Sequence, residues 1–350
     1  MSAHSDPTDP GATAGDERVE CEHADRCGGC PIIGLSYGEQ LSLKRGRVVQ
    51  SVSRYSTLEL VYTEPVVPAQ PVVGYRTRAK LIVAEGGKLG LFAKGGGHQV
   101  VDIPRCRVLA PVLGRVASVI RARIARDEEE GGPLAPHKAD GRGSLRAIDL
   151  REVREGDVSR VLVTFVVQRG REGAIERAQE AARDIMRDAP DVVGVAINFH
   201  EGDAPQILGS QTHHLAGATS APDRVGSSVH LATFGSFVQA HRGQTGRVHA
   251  LLAEIVGQAR ARAPERKVRV LDLYGGSGAI ALGLAANGAE VRLVESFAPA
   301  VAQARAAAEA HRLAVDAECA DAAAALRRMV EARDRFDAVV VNPPAGARAP

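Results

Sequence analysis

The sequence predicts an α/β protein in which an incomplete doubly wound parallel sheet, over 236–350, follows an α+β domain over 55–235. Three observations predict it. From 267 onward, short apolar runs alternate with Ala-rich helical stretches in the order β-α-β-α-β-α-β, the pattern of a parallel sheet with crossover helices. Between 72 and 199, strand-like runs dominate and helical stretches are few. Ahead of both lies a cysteine loop, C-E-H-A-D-R-C-G-G-C, over 21–30.

Residues 1–20 are polar, acidic and Pro/Gly-bearing, and are expected to be a disordered tail. The segment 21–54 combines the cysteine loop with a helix from Leu41 to Val52 that carries Lys44, Arg45 and Arg47. The run 72–85 alternates basic and apolar residues, as a half-buried strand does. Runs 86–93 and 98–104 read as its hairpin partner and a third strand. Ala110 to Arg126 reads as a helix, and the acidic, Gly/Pro-bearing stretch 127–142 as a loop. Strands follow at 144–153 and 161–167, a helix at 172–187 and a strand at 192–199. His241 to Ala263 reads as a long helix. The parallel sheet then takes strands at 267–273, 289–295, 315–321 and 336–344, with helices 279–287, 299–311 and 322–331 between them.

Bulk composition narrows the classes. Lys plus Arg is 44 and Asp plus Glu is 42, so net charge gives no whole-molecule case for nucleic acid. A local basic face remains open. No apolar run is long enough for a membrane span, and the N-terminus lacks a signal-peptide pattern. The cysteine pattern points to the reducing cytoplasm rather than to a disulfide scaffold. Tryptophan is absent, so any base-stacking platform must be small.

Cys21, Cys27, Cys30 and Cys106 read as one metal site with spacing C-x5-C-x2-C…C. Four thiolates suit an iron–sulfur cluster or a structural zinc. Zinc sites favour two C-x2-C knuckles and this chain has one, which favours iron–sulfur. Gly28 and Gly29 let the loop wrap tightly. His23, inside the loop, is expected to face solvent.

A second site is written at strand ends. The turn D-L-Y-G-G-S-G follows a buried run and opens a helix, and its Gly276 and Gly278 allow close backbone approach to a ligand. Asp272 ends the first strand. Glu295 ends the second, where a carboxylate accepts hydrogen bonds from ribose hydroxyls. Asp321 ends the third, within reach of an adenine amino group, and Asn342-Pro343-Pro344 ends the fourth. Together they predict a nucleoside pocket. NAD is the rival ligand, but the turn lacks the third glycine of the dinucleotide fingerprint.

On these residues the chain resembles the S-adenosylmethionine-dependent RNA (uracil-C5)-methyltransferase family. The resemblance spans about 21–344 and is carried by the cysteine loop with S-Y-G-E-Q-L-S-L-K, by G-Y-R-T-R-A-K, by L-G-L-F-A-K-G-G-G-H-Q-V-V-D-I-P-R-C and by G-S-F-V-Q-A-H. It implies a class I, Rossmann-like methyltransferase domain behind an RNA-binding α+β domain. It implies a 4Fe-4S cluster on Cys21, Cys27, Cys30 and Cys106. It implies S-adenosylmethionine contacts from Gln239, Tyr274, Glu295, Asp321 and Asn342. The expected substrate is uridine C5 in RNA, ribosomal rather than transfer RNA, and the expected protein is a cytoplasmic monomer. Arg76, Arg78 and Lys80 share one strand face, where RNA-backbone contact competes with an ordinary solvated face.

The chain departs from the family pattern in several places. Asn342 stands where the family has Asp, Ala345 where it has Arg, His241 where it has Asn, and Ala279 where a polar residue is common. The family activates uracil by adding a cysteine thiolate to C6, and a general base later removes the C5 proton. Its cysteine and glutamate lie beyond the D-P-P-R motif. The sequence shows no counterpart up to Pro350, so a truncated methyltransferase domain is expected. Cys319 is the one uncommitted cysteine and is expected to be a small buried apolar residue. Two alternatives follow: a non-catalytic module that binds RNA and cofactor, or methylation of a base amino group through N-P-P. His213 and His214 are expected on the surface in a turn, and Phe234 and Phe237 in the core.

Overall fold

A computed structural model describes residues 17–169, 173–202, 206–226 and 228–343. Most of the expected tail, Pro344 and Ala345 lie outside the described residues. The cysteine loop leads into α1 (Tyr37–Val52), which begins earlier than the apolar spacing predicts. The reason is a capping box: Ser36 Oγ accepts from the Glu39 amide at 3.3 Å, and Glu39 accepts from the Ser36 amide at 2.7 Å.

A seven-stranded sheet follows. Its strands are β1 (Arg78–Ala84), β2 (Lys88–Phe92), β3 (Val100–Asp102), β4 (Leu145–Glu155), β5 (Val158–Gln168), β6 (Val192–His200) and β7 (Gln211–Gly217). Their spatial order is β3-β2-β1-β4-β5-β6-β7. Neighbours are antiparallel except β5 and β6, which need a crossover. That crossover contains α3 (Ala174–Asp188), which packs on the same face as α2 (Pro111–Glu130). Alternate strand residues such as Leu81, Ile148, Leu150, Val163 and Phe165 meet Leu113, Ile120, Ile124 and Ile185 of these helices in the main core. The intervening positions of β1 and β4 carry Arg78, Lys80, Asp149 and Arg151 on the opposite face.

That opposite face is covered by a hairpin of β8 (Ser220–Val225) and β9 (Ser228–Thr233), with Val153, Leu162, Ala221 and Ala232 as a small second core. Neither this hairpin nor β7 is legible in the sequence. His213 and His214 therefore sit on β7 rather than in a turn, although both are exposed as expected. The strand expected at 72–85 starts only at Arg78, because Gly74 has φ 64° and breaks the extended run. The acidic run expected in a loop instead finishes α2. Asp127 is buried there, held by Arg123 Nε at 2.7 Å and by the Leu134 amide at 2.9 Å.

The remaining elements form the parallel sheet. After α4 (Arg242–Arg262) come β10 (Arg269–Leu273), α5 (Ala279–Ala286), β11 (Glu290–Glu295), α6 (Ala298–Ala310), β12 (Val315–Cys319), α7 (Ala322–Glu331) and β13 (Ala338–Val341). All pairings are parallel, in the order β12-β11-β10-β13. α4, α5 and α6 cover one face through Val256, Leu284, Val301 and Ala304, and α7 covers the other through Ala325 and Met329. The sheet is thus wound on both sides, and the first crossover leaves the strand that sits inside it, β10. Among the described residues, no helix is long and apolar enough to cross a membrane.

Candidate cofactor pocket and cysteine cavity

The carboxyl ends of β10, β11, β12 and β13 lie side by side, which is where ligands bind in sheets of this kind. The turn after β10 is held open by backbone geometry. Tyr274 has φ 60°, Gly276 φ 56° and Gly278 φ 86°, so three residues of one turn adopt the left-handed region. For a tyrosine this conformation is costly, and Tyr274 bears it at the bend that follows β10. A Cβ at Gly275 would lie 2.5 Å from Leu293 Cγ and 3.1 Å from Asp272 Oδ2, so only glycine lets the turn close on β11.

Glu295 ties the turn to the next strand. Its Oε2 accepts from the Gly276 amide at 3.1 Å, and its Oε1 accepts from the Phe297 amide at 2.8 Å. Oε1 also accepts from Ser296 Oγ at 3.3 Å, so the free lone pair is on Oε2, and the residue is only half-buried. Asp321 lies just past β12 rather than on it. It caps α7, with Oδ1 accepting from the Ala324 amide at 2.9 Å, and is otherwise exposed. Asn342 follows β13, its amide 3.4 Å from the Leu273 carbonyl, with an exposed side chain. Gln239 is exposed on the segment that connects β9 to α4.

Asp272 is 1% exposed and neither carboxyl oxygen has a well-formed hydrogen bond. Burial pushes its carboxyl up to about 7, the Glu295 charge adds to the rise, and the Ala281 amide opposes it. An acid raised in the folded state binds more protons folded than unfolded between pH ~4 and ~7, so it erodes stability as pH rises through that window. Asp272→Asn should therefore match the wild type in urea denaturation at pH ~4 and exceed it by ~2–4 kcal/mol above pH ~7. Equal stability of the two proteins at pH 8 would refute the buried-acid assignment.

The four cysteines lie away from the strand ends. Cys21, Cys27, Cys30 and Cys106 line one cavity of about 450 Å³. The loop is bound to β2 by a Cys27–Ala93 bridge and by the Gly28 amide on the Phe92 carbonyl at 2.9 Å. A Cβ on Gly28 would come within 2.8 Å of that carbonyl oxygen. Burial raises the Cys30 thiol, as does the Cys106 thiol facing it, and burial likewise raises Cys106. Among the described residues no group of three or more His, Cys, Asp or Glu side chains is set to hold a metal ion. The donor chemistry nevertheless suits a soft, anionic cluster, since Arg76, Arg78 and Lys80 line the same cavity. His23, expected in solvent, is instead buried at 6% exposure and lines this cavity, because the loop folds inward around it.

Other expected positions moved. Cys319, expected to be buried, is exposed, with Sγ 3.7 Å from the Ser296 carbonyl, because β12 ends there at the open rim of the sheet. Phe234 packs in the second core as expected, whereas Phe237 is 73% exposed at the mouth of the cysteine cavity. Arg78 does not point into solvent. Its guanidinium forks onto Asp149, with Nε–Oδ1 2.9 Å and Nη2–Oδ2 2.6 Å, and Nη1 donates to the Ser236 carbonyl at 2.6 Å. Burial, with Arg78 nearby, lowers the Lys80 ammonium.

A buried ionic group went unread in the sequence. Arg151 is 3% exposed, and burial lowers its guanidinium to about 10. It donates to the Ser236 carbonyl at 3.1 Å and faces Asp223 at 3.5 Å. Asp223, fully buried, also accepts from Arg242 at 2.7 Å. His230 lies beside them, and burial lowers its ring to about 4. The signal was present in S-L-R-A-I-D-L-R-E-V, where Asp149 and Arg151 alternate with Ile148 and Leu150 on a strand too apolar to be a solvated edge.

The sheet order, the left-handed turn and the strand-end carboxylates define a class I, Rossmann-like methyltransferase fold. The chain matches the Methyltransferase small domain family over residues 249–349. It is 30% identical over 329 residues to an uncharacterized RNA methyltransferase of Geobacter sulfurreducens, covering 93% of this chain and 63% of that protein. It is 29% identical over 337 residues to one of Parasynechococcus marenigrum, covering 93% of this chain and 67% of that protein. The chain thus spans just under two thirds of the Geobacter relative's length. Among solved structures, a Pyrococcus abyssi tRNA (uracil-54, C5)-methyltransferase in complex with S-adenosyl-L-homocysteine superposes with TM-score 0.69 at 22% identity, covering 93% of this chain and 71% of that one. Along nearly its whole length, then, the chain resembles the S-adenosylmethionine-dependent RNA methyltransferases.

Proposed function

We propose that this chain takes part in methyl transfer from S-adenosylmethionine to C5 of uridine in RNA, with ribosomal RNA favoured over transfer RNA. One observation carries the cofactor half of this reading: Glu295 ends the strand beside the left-handed turn, and its carboxylate is oriented by the Gly276 amide. Its free Oε2 lone pair, and the Oε1 lone pair released when the Ser296 hydroxyl rotates away, would take the two ribose hydroxyls. Gly276 and Gly278 would let the backbone approach the donor's amino-acid chain. Asp321, Asn342, Tyr274 and Gln239 would complete the pocket, and the buried Asp272 would support the turn from beneath.

On the RNA side, Arg76 and Lys80 would meet phosphates, while Arg78 is already held by Asp149 and Ser236. The cysteine cavity is proposed to hold a 4Fe-4S cluster on Cys21, Cys27, Cys30 and Cys106. Such a cluster would supply a rigid cross-link between the loop and the segment carrying Cys106, and its negative charge would be balanced by the neighbouring cations.

C5 methylation requires a nucleophile at C6 and a base for the C5 proton. Cys319 ends β12, two residues before Asp321, where the proposed pocket would take the adenine, so no cysteine is assigned that role here. In a second reading, the residues described bind cofactor and RNA without themselves supplying the nucleophile. Incubation with tritiated S-adenosylmethionine and uridine-containing ribosomal and transfer RNAs, followed by nucleoside digestion, separates the possibilities. Labelled 5-methyluridine supports the first reading. Cofactor and RNA binding without incorporation supports the second. Labelled methyladenosine would overturn both and favour amine methylation at Asn342-Pro343.

A further inference from the structure

The segment carrying Gln239 touches the parallel-sheet unit at its root, where Thr233 Oγ1 accepts from Gln303 Nε2 of α6 at 2.7 Å. Beyond Thr233 its hydrogen bonds run to the seven-stranded sheet and to the residues just before it. At its start, the Ser236 carbonyl accepts from Arg78 Nη1 at 2.6 Å and from Arg151 Nη1 at 3.1 Å, and Arg151 also reaches Ser236 Oγ. At its end, the Ala240 carbonyl accepts from the Thr77 amide at 2.9 Å and from Thr77 Oγ1 at 3.3 Å. The next residue, His241, stacks on Tyr75 with ring centroids 4.6 Å apart and an interplanar angle of 10°. Its Nε2 lies 3.1 Å from the Pro71 carbonyl, and its Nδ1 accepts from the Gln244 amide to cap α4.

Gln239 is thus strung between two clamps, both supplied by residues 71–78 with Arg151. The Ser236 clamp is the stiffer one. Arg78 is fixed by a bidentate bond to Asp149, which is 3% exposed, so its third nitrogen is aimed with little freedom. A guanidinium can hold a carboxylate with two nitrogens and a carbonyl with another. An ammonium has no such planar fork.

Resting on the cofactor reading above, we propose that Arg78 is a positioning residue for cofactor binding: it sets the Ser236 end of the segment so that Gln239 faces the strand-end pocket. It touches neither cofactor nor RNA. The motif G-Y-R-T-R-A-K therefore splits by role. Tyr75, Thr77 and Arg78 hold the cofactor segment, and Arg76 and Lys80 remain for RNA.

The test is a double-mutant cycle read by titration calorimetry with S-adenosylhomocysteine. The proteins are the wild type, Arg78→Lys, Gln239→Ala and the double variant. Arg78→Lys keeps the charge beside Asp149 but cannot hold Asp149 and the Ser236 carbonyl together. It should weaken binding about tenfold, or ~1.4 kcal/mol. In the Gln239→Ala background the same change should cost less than about twofold, because the residue it positions is gone. A lysine effect under about twofold in the wild-type background overturns the proposal. So does an undiminished effect in the Gln239→Ala background, the result expected of a merely structural residue. Thermal melting checks that Arg78→Lys is folded. If it is not, Thr77→Val, which removes only the Oγ1 bond to Ala240, runs through the same cycle with an expected ~3-fold loss that Gln239→Ala must abolish. Additivity there overturns the proposal as well. If the wild type itself does not bind S-adenosylhomocysteine, the cofactor reading fails. If it binds and the cycle is additive, only the role of Arg78 fails.

Discussion

Replacing Glu295 with alanine is expected to weaken S-adenosylhomocysteine binding about a hundredfold or more, the loss of ~3 kcal/mol. Two charge-assisted hydrogen bonds to the ribose hydroxyls would go, each worth ~1.5–3 kcal/mol before competing hydration is counted. The carboxylate is also preorganised. The Gly276 and Phe297 amides already hold one bond to each oxygen, so little ordering remains to be done when the ribose arrives. Glu295→Gln keeps the shape but gives up the charge and one acceptor, and should fall between, at about tenfold. The Gly276 amide loses its partner in the alanine variant, so circular dichroism and melting must show a folded chain. A folded Glu295→Ala protein that binds within about threefold of the wild type would remove Glu295 from the pocket.

The second large effect is expected at the cysteine cavity. Cys27→Ala should abolish absorbance near ~400 nm and bound iron, and cost ~3 kcal/mol or more of stability, because metal-binding energy at such a site is folding energy. The loop has few other ties. Cys27 bridges Ala93, Gly28 reaches the Phe92 carbonyl, and the exposed Arg105 pairs with Glu22 at 2.5 Å. Exposed ion pairs of that kind add little. RNA affinity should fall with the loop, since Arg76 and Lys80 wall the same cavity. Cofactor binding should survive within about threefold, because Glu295 and the turn after β10 are carried by the parallel sheet, and the Gln239 segment keeps its Arg78, Arg151 and Thr77 bonds. Zinc in place of iron in anaerobically purified protein, or selective loss of cofactor binding, would contradict this account.

The parallel sheet was legible because its signals are local. Apolar runs, Gly-rich bends and Ala-rich helices alternate at regular intervals, and Asp272, Tyr274, Glu295, Asp321 and Asn342 each lie within two residues of a strand end. Asp321 illustrates the margin: it is the cap of α7 rather than the end of β12, yet it keeps the same place at the sheet rim. What was not legible depends on contacts between distant segments. β7 to β9 are short, and their burial is decided by the second face of a sheet that sequence periodicity cannot orient. His23 is buried by the inward fold of its own loop, and Phe237 is exposed because its segment is clamped at Ser236 and Ala240. Arg78 carried the same ambiguity. A basic residue on an alternating strand reads as solvated until Asp149, on the neighbouring strand, is seen to meet it.

The central claim is that the ends of β10, β11, β12 and β13 form an S-adenosylmethionine pocket, and calorimetric titration of the purified chain with S-adenosylhomocysteine, beside NAD, tests it most directly. The account predicts one binding site per chain for S-adenosylhomocysteine, with affinity that collapses in Glu295→Ala, and no measurable heat with NAD. Saturable binding of NAD, or no binding of S-adenosylhomocysteine by a folded wild-type chain, would contradict it.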